Sequence, residues 1–321
     1  MSFLTARKFI GAALETVRYT GETLAETDYD LPAYNISYTS TIDRYTREVT
    51  LSNFSKLTDI PGKQMGSVSF SIDVAIGEVG DLSVVPSYGK LLVASGFRQD
   101  EMAGGVSWVT DSTVCNTITV DIADTEECSD PGQRVVRLTG CRGSVLVTMD
   151  QVGNPVRLDF TFMGKIGSVF DRAAAFTSTN VLTTTPDTAL SATVEAGGYT
   201  DIDCNSINMA LNIETQMEID PTDGSGYRGA HTTSRSPEVT IDPYLHTYAE
   251  RDWYAQNLAP STNLNDFTFA TSNFVYYFRS LQVVNSLEDG DRNGLTTESI
   301  TFKSVAAPFD DEFYMLQGIS G

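Results

Sequence analysis

The chain has 321 residues, 41% of them hydrophobic and 20% charged, so a packed core is feasible and disorder is excluded as an overall description. Asp plus Glu number 42 against 21 Lys plus Arg, a formal net charge of −21. That balance opposes tight binding to nucleic acid or to an anionic membrane, which needs clustered cations, and it favours solubility at high concentration. No apolar run approaches the roughly 18 residues of a membrane-spanning helix. Arg7 and Lys8 ahead of the apolar residues 9–14 suggest a signal peptide, but the stretch is short and Glu15 closes it, so synthesis in the cytoplasm is expected.

Residues 1–30 read as an N-terminal arm. From residue 31 the dominant signal is period-two alternation, the mark of strands with one apolar face. Val68, Phe70, Ile72 and Val74 alternate with Ser67, Ser69, Ser71 and Asp73. Ile118, Val120 and Ile122 form a second set; Val145, Val147 and Met149 a third; Val156, Leu158, Phe160 and Phe162 a fourth. Tyr88, Leu91, Leu92 and Ser95 recur at helical spacing and stop at Gly96, a plausible C-terminal cap. These define a first β domain over residues 31–172. Residues 173–200, rich in Thr, Ser and Ala, read as a linker or an extended crossover.

The alternation returns in Ile207, Met209, Leu211 and Ile213, then in Val239 and Ile241, around Phe267 and Phe269, and finally in Ile300 and Phe302. Pro243 predicts a helix start, with Leu245, Ala249 and Trp253 on one face. This is a second β domain over residues 201–305, followed by a C-terminal tail, 306–321. The order of elements repeats between the halves. Matching Val68 to Val239 gives 239 − 68 = 171, and matching Phe162 to Phe302 gives 302 − 162 = 140. A diverged duplication is the reading. The fold class expected is all-β with minor helices, as two related antiparallel barrel or sandwich domains, each with a flanking helix.

Reactive residues are few. Histidine supplies only His231 and His246, and Cys115, Cys128, Cys141 and Cys204 contain no CxxC pair, so reduced, part-buried thiols are expected rather than zinc. The equal spacing of the first three cysteines suits adjacent strands of a meander. No serine lies in a GxSxG elbow, and no pair among the 42 acids stands out. Neither an enzyme nor a cofactor is expected. Asp289-Gly290-Asp291-Arg292-Asn293-Gly294 matches the first half of a calcium loop, but Ile300 stands where a bidentate Glu belongs, and a hairpin turn on the Asn-Gly step is the better account.

Several motifs occur in an order that resembles the tail tube (major tail) proteins of long-tailed bacteriophages. They are Leu4-Thr5-Ala6-Arg7-Lys8 with Glu15-Thr16; Asp43-Arg44 with Arg47; and Pro61-Gly62-Lys63 before the Val68 strand. Tyr88-Gly89-Lys90-Leu91-Leu92 leads to Gly96-Phe97. Gly140-Cys141-Arg142-Gly143 precedes a strand, and Gly153-Asn154-Pro155-Val156 leads to Phe160-Thr161-Phe162. Ser236-Pro237-Glu238-Val239-Thr240-Ile241-Asp242-Pro243 and Asp252-Trp253 continue the resemblance in the second half. It implies a virion protein, assembled in the host cytoplasm, whose sheets join into rings that stack as a tube for DNA ejection. Two related domains imply a homotrimer with pseudo-sixfold symmetry. The implied partners are the chain itself, the tape measure, the tail-tip and terminator proteins and, in passage only, double-stranded DNA; no membrane partner is implied. The rival reading is a β-sandwich surface module recognising carbohydrate, which the 14 tyrosines allow.

On the tube reading, Arg44 and Arg47 lie in a polar loop, residues 39–66, that reaches the next ring. Asp73, Asp121 and Asp159, polar partners of alternating strands, face the lumen, where acids keep a duplex mobile. The apolar end (Phe309, Phe313, Tyr314, Met315 and Leu316) and residues 1–14 dock either on their own domain or on a neighbouring subunit.

Overall fold

The computed structural model describes residues 3–47, 58–77, 81–102, 104–126, 133–172, 185–258, 264–305, 310 and 312–318. The first half contains β1 (Phe3–Leu14), β2 (Tyr34–Tyr45), β3 (Ile60–Asp73), helix α1 (Gly89–Ala94), β4 (Phe97–Met102), β5 (Gly105–Thr110), β6 (Ile118–Glu126), β7 (Gln133–Met149) and β8 (Arg157–Arg172). The second contains β9 (Thr193–Ala196), β10 (Cys204–Ala210), β11 (Glu214–Ile219), β12 (Tyr227–Ser234) and β13 (Glu238–Pro243). Helix α2 (Trp253–Leu258), β14 (Asn265–Ala270), β15 (Phe274–Arg292), β16 (Leu295–Ser304) and β17 (Phe313–Gln317) complete it. The chain is all-β with minor helices, and its strands pair antiparallel. No helix among the described residues is long and apolar enough to cross a membrane.

Alternation becomes burial as expected. Val68, Phe70 and Ile72 of β3 are buried, and Phe70 packs on Phe160 of β8 with ring centroids 5.7 Å apart. Replacing water by such contacts over a continuous apolar face is the main source of stability here.

The duplication is legible in the pairing. The first half orders its strands β1-β6-β7-β8-β3-β2, and the second β9-β14-β15-β16-β13-β10. In each, the helix falls between the third and fourth of these strands in chain order. Val68 lies opposite Phe162 and Phe70 opposite Phe160; Val239 lies opposite Phe302 and Ile241 opposite Ile300. The two sequence offsets therefore carry one register onto the other. Each half adds one hairpin of its own, β4–β5 in the first and β11–β12 in the second.

The halves share one sheet and one core. β7 pairs with β10, with Met149 opposite Ile207 and Leu146 opposite Ala210. The β11–β12 hairpin lies across the first half through Lys165–Asp223 at 2.6 Å and the Gln64 N–H donated to the Ser225 carbonyl. Burial pushes the Asp223 carboxyl up, but the hydrogen bonds from Lys165 and Ser225 outweigh it and hold the group at about 2.

Several expectations are corrected. The sheet does not close into a barrel; its main path runs from β2 to β4 with open edges. Of the two readings of the connecting segment, residues 185–200 follow the extended crossover and not the free linker: Pro186 bridges Ala75, Thr188 bridges Pro155, and β9 pairs with β14. Residues 173–184 lie outside the described residues. Residues 3–14 and 313–317 are strands of the sheet rather than an arm and a tail. Of the two dockings left open, both take the one on their own chain, β1 on β6 and β17 between β15 and β5, while Phe309 lies outside the described residues. Pro243 ends β13 instead of starting a helix, because Tyr244 and Leu245 donate their N–H groups to Asp203 and Thr296. The helix starts after Asp252, whose carboxylate accepts the Ala255 N–H at 2.8 Å.

Cys115 is exposed ahead of β6 while Cys141 is buried in β7, so the cysteine spacing does not mark a meander; Cys128 lies outside the described residues. Gly96 ends α1 at φ +92°, as expected. Asn293 and Gly294, at φ +55° and +84°, turn β15 into β16 as a hairpin.

Because Phe313 and Met315 are buried between two strands, removing residues 310–321 is expected to unfold the chain or lower its melting temperature by more than about 8 °C, a multi-kcal/mol loss. Circular dichroism melts measure this. Unchanged melting of the truncated chain would contradict the placement of β17.

Candidate assembly interface

The three acids expected to face a lumen divide. Thr119, Asp121 and Ala123 point away from the main core, as alternation requires, yet that face is covered. Residues 15–31 fold over it. The Glu15 carboxylate accepts the Thr117 and Thr119 hydroxyls and the Gly140 N–H, while Leu24 and Tyr29 pack on Ala123 and Val135. Asp121 is 0% exposed. Arg137 donates to it from Nε and Nη2, both at 2.7 Å, and the Tyr29 hydroxyl donates at 2.7 Å. Burial, with the Asp121 charge beside it, pushes the Tyr29 hydroxyl up. Asp121 is thus an internal tie and not a lumen residue. The sequence could not say so, because the covering segment has no periodic pattern.

Asp73 and Asp159 are half-buried on the polar face of β3 and β8. Tyr34 donates its hydroxyl to Asp73 at 2.6 Å, and Ser71 donates to Asp159 at 2.5 Å. Arg157, opposite Asp73, sits 3.1 Å from Asp159 and 2.9 Å from Asp150. The patch is consequently polar and mixed in charge, not an unbroken acidic stripe. By register the face continues through Thr148, Asn208, Thr240 and Thr301, across both halves.

Arg44 and Arg47 stand on an arm. Residues 39–45, expected as loop, continue β2 and pair with β3, so the polar segment is largely a projecting hairpin; residues 48–57 lie outside the described residues. Arg44 lies opposite Pro61, both arginines are exposed, and neither forms an ion pair among the described residues. Ile42, Tyr45 and Ile60 are exposed on the same arm.

Two sheet edges were not anticipated. β2 pairs with β3 on one side and with no described strand on the other. β15 carries β14 only as far as Leu281; from Val283 to Arg292 it pairs, among the described residues, with β16 alone. The matching stretch of β7 is the one that carries β10. Leu146 lies opposite Asp159 and Glu288 opposite Ser299, and 299 − 159 is again 140, so residues 146–149 correspond to 288–291. Likewise residues 207–210 of β10 correspond to 36–39 of β2, through Met209 opposite Val239 and Tyr38 opposite Val68. The repeat offsets were the signal that could have found both edges. Among the described residues no cluster of three or more His, Cys, Asp or Glu is placed to hold a metal ion. No protein-family model matches the chain, and no curated protein matches it in sequence.

Removing one partner of the Asp121–Arg137 pair leaves a buried charge. Arg137→Met is expected to cost about 3–5 kcal/mol, and the double change Asp121→Leu with Arg137→Met to recover much of it. Urea unfolding measures both. A loss below about 1 kcal/mol in the single variant would mean that the tie is solvated.

Proposed function

We propose that the chain is a structural subunit that polymerises through its sheet edges into rings, and through stacked rings into a tail tube that conducts DNA. One observation carries this reading. The β7–β10 pairing joins two equivalent halves inside the chain, and among the described residues the counterparts of those two edges carry no partner strand, β15 from residue 283 onward and β2. A joint that can be made once can be repeated between copies. Pairing residues 36–39 of one copy with 288–291 of the next would extend the sheet in the manner of strand addition. Repetition of a head-to-tail contact closes a ring or grows a filament, depending on its rotation. Three two-unit chains give six equivalent positions, the pseudo-sixfold ring implied by the resemblance.

The edges support the reading on physical grounds as well. A free strand as long as β2 is a template for uncontrolled pairing, and closure into an assembly removes it. The exposed arm bearing Arg44 and Arg47 suits a contact with the acidic surface of a neighbouring ring, where guanidinium–carboxylate pairs form in two-pronged geometry. The polar face with Asp73 and Asp159 suits the lumen. A channel that offers few unpaired cations releases few counterions from a duplex, so DNA passes without binding. Repulsion over one screening length, about 8–10 Å, keeps it off the wall. The tape measure, tail-tip and terminator proteins are the further partners on this reading, which assigns the chain no catalysis.

A cysteine at Thr39 and one at Glu288, in a chain with Cys115 and Cys128 changed to Ser, test the joint. With a short thiol crosslinker, the doubly substituted protein is expected to give a ladder of covalent oligomers, and each single substitution at most a dimer. Monomer alone from the doubly substituted protein, with both thiols reactive, would contradict the proposal. Negative-stain microscopy of the unmodified protein is expected to show rings or tubes of uniform width.

A further inference from the structure

Arg142 is an anomaly among the arginines. It is 4% exposed, on β7, and no carboxylate among the described residues pairs with it. Its Nη2 donates to the Val114 carbonyl at 2.9 Å and the Cys115 thiol lies within hydrogen-bonding reach, but its Nε has no partner. An arginine cannot shed its proton to escape burial, so an unpaired buried guanidinium is costly.

Arg142 lines a pocket of about 460 Å³ between the end of α1, the loop before β6 and strand β12. The other charges on its wall are largely spoken for. Asp111 is bound by Arg98 at 3.0 Å, Glu218 by Arg228 at 3.4 Å, and Arg235 by Asp310 and Glu312 at 2.8 and 2.6 Å. Arg18 remains, exposed at the rim over the Tyr19 ring. Burial, with Arg18 as a second cation nearby, pushes Arg142 down, the direction that an arriving anion would reverse.

The orphaned polar atoms point the same way. Eleven buried side-chain N and O atoms among the described residues lack a hydrogen-bond partner, and four of them are on residues that line this pocket: Arg142 Nε, His231 Nδ1, Thr232 Oγ1 and Arg235 Nε. Native proteins satisfy such groups, so their concentration in the residues around one cavity marks this wall as under-satisfied, and the two guanidinium Nε–H groups among them are donors.

We propose that this pocket binds a small oxyanion, with the Arg142 guanidinium as its principal partner and Arg18 closing the rim. Two sources share that chemistry: a dissolved ion, or a carboxylate side chain presented by a second copy of this acidic chain. The assignment stands independently of the tube reading.

The test titrates the full chain with succinate or with inorganic phosphate at constant ionic strength, against sodium chloride, and reads the melting temperature. A saturable rise with an oxyanion and none with chloride is expected, with apparent affinity at least tenfold weaker in Arg18→Gln and in Arg142→Gln. Arg18 is exposed, so its variant carries the test if Arg142→Gln does not fold. Sedimentation velocity separates the sources. Oxyanion that disperses an associated species supports a second copy's carboxylate, and oxyanion that raises the melting temperature with unchanged sedimentation supports a dissolved ion. An equal rise in chloride, variants that titrate like the unmodified chain, or no response in either measurement would overturn the proposal.

Discussion

The antiparallel pairing of β7 with β10 is the contact on which the rest of the structure depends. The halves also meet through β17, which lies between β15 and β5, and through the β11–β12 hairpin, but only the β7–β10 pairing sets the two repeated units edge to edge. With it, one sheet runs through both halves, one apolar core lies on one face, and one polar face passes from β3 through β16. Because β10 occupies in the second half the place that β2 occupies in the first, this contact is also a sample of how one unit meets the next. The proposed assembly asks for no new kind of contact.

That arrangement makes sense of the chain ends. The N-terminal strand pairs with β6 within the first half, and the C-terminal strand, inserted between β15 and β5, ties the second half to the first. They are used up within the molecule and cannot serve as arms between copies. What projects instead is the β2–β3 hairpin. The covering segment, residues 15–31, has an electrostatic consequence: it turns Asp121 from a surface acid into the centre of a buried hydrogen-bonded set with Arg137 and Tyr29. Covering a charge is tolerated because each carboxylate oxygen has a charged or hydroxyl donor.

Much of the fold was legible in the residues. Alternation in Val68–Phe70–Ile72 and in Phe160–Phe162 identified strands and their buried faces, and the offsets of 171 and 140 turned out to link true register pairs. Period-two patterns report faces reliably because burial acts on every second residue. They do not report neighbours. Nothing in Phe313-Tyr314-Met315 says which strands it will lie between, and nothing in residues 15–31 says that they will lie over Asp121. Pro243 misled for a related reason: proline suits a helix start and a strand end equally, and the chain's hydrogen bonds to Asp203 and Thr296 decide the matter. The candidate interface was half visible. The arm with Arg44 and Arg47 stood out by polarity, whereas an open sheet edge is made of backbone groups and leaves no side-chain signature. Arg142 stands in the Gly140-Cys141-Arg142-Gly143 motif, but its lack of an acid partner among the described residues is a property of the folded chain alone.

The central claim is that the joint inside the chain is repeated between chains. Electron cryomicroscopy of the assembled protein measures this directly, by showing whether the sheet crosses the subunit boundary. The account predicts continuous strand density there, with residues 36–39 of one copy antiparallel to residues 288–291 of the next. A boundary at which β2 and the outer part of β15 both stay unpaired, or particles that remain single chains at every concentration, would contradict it.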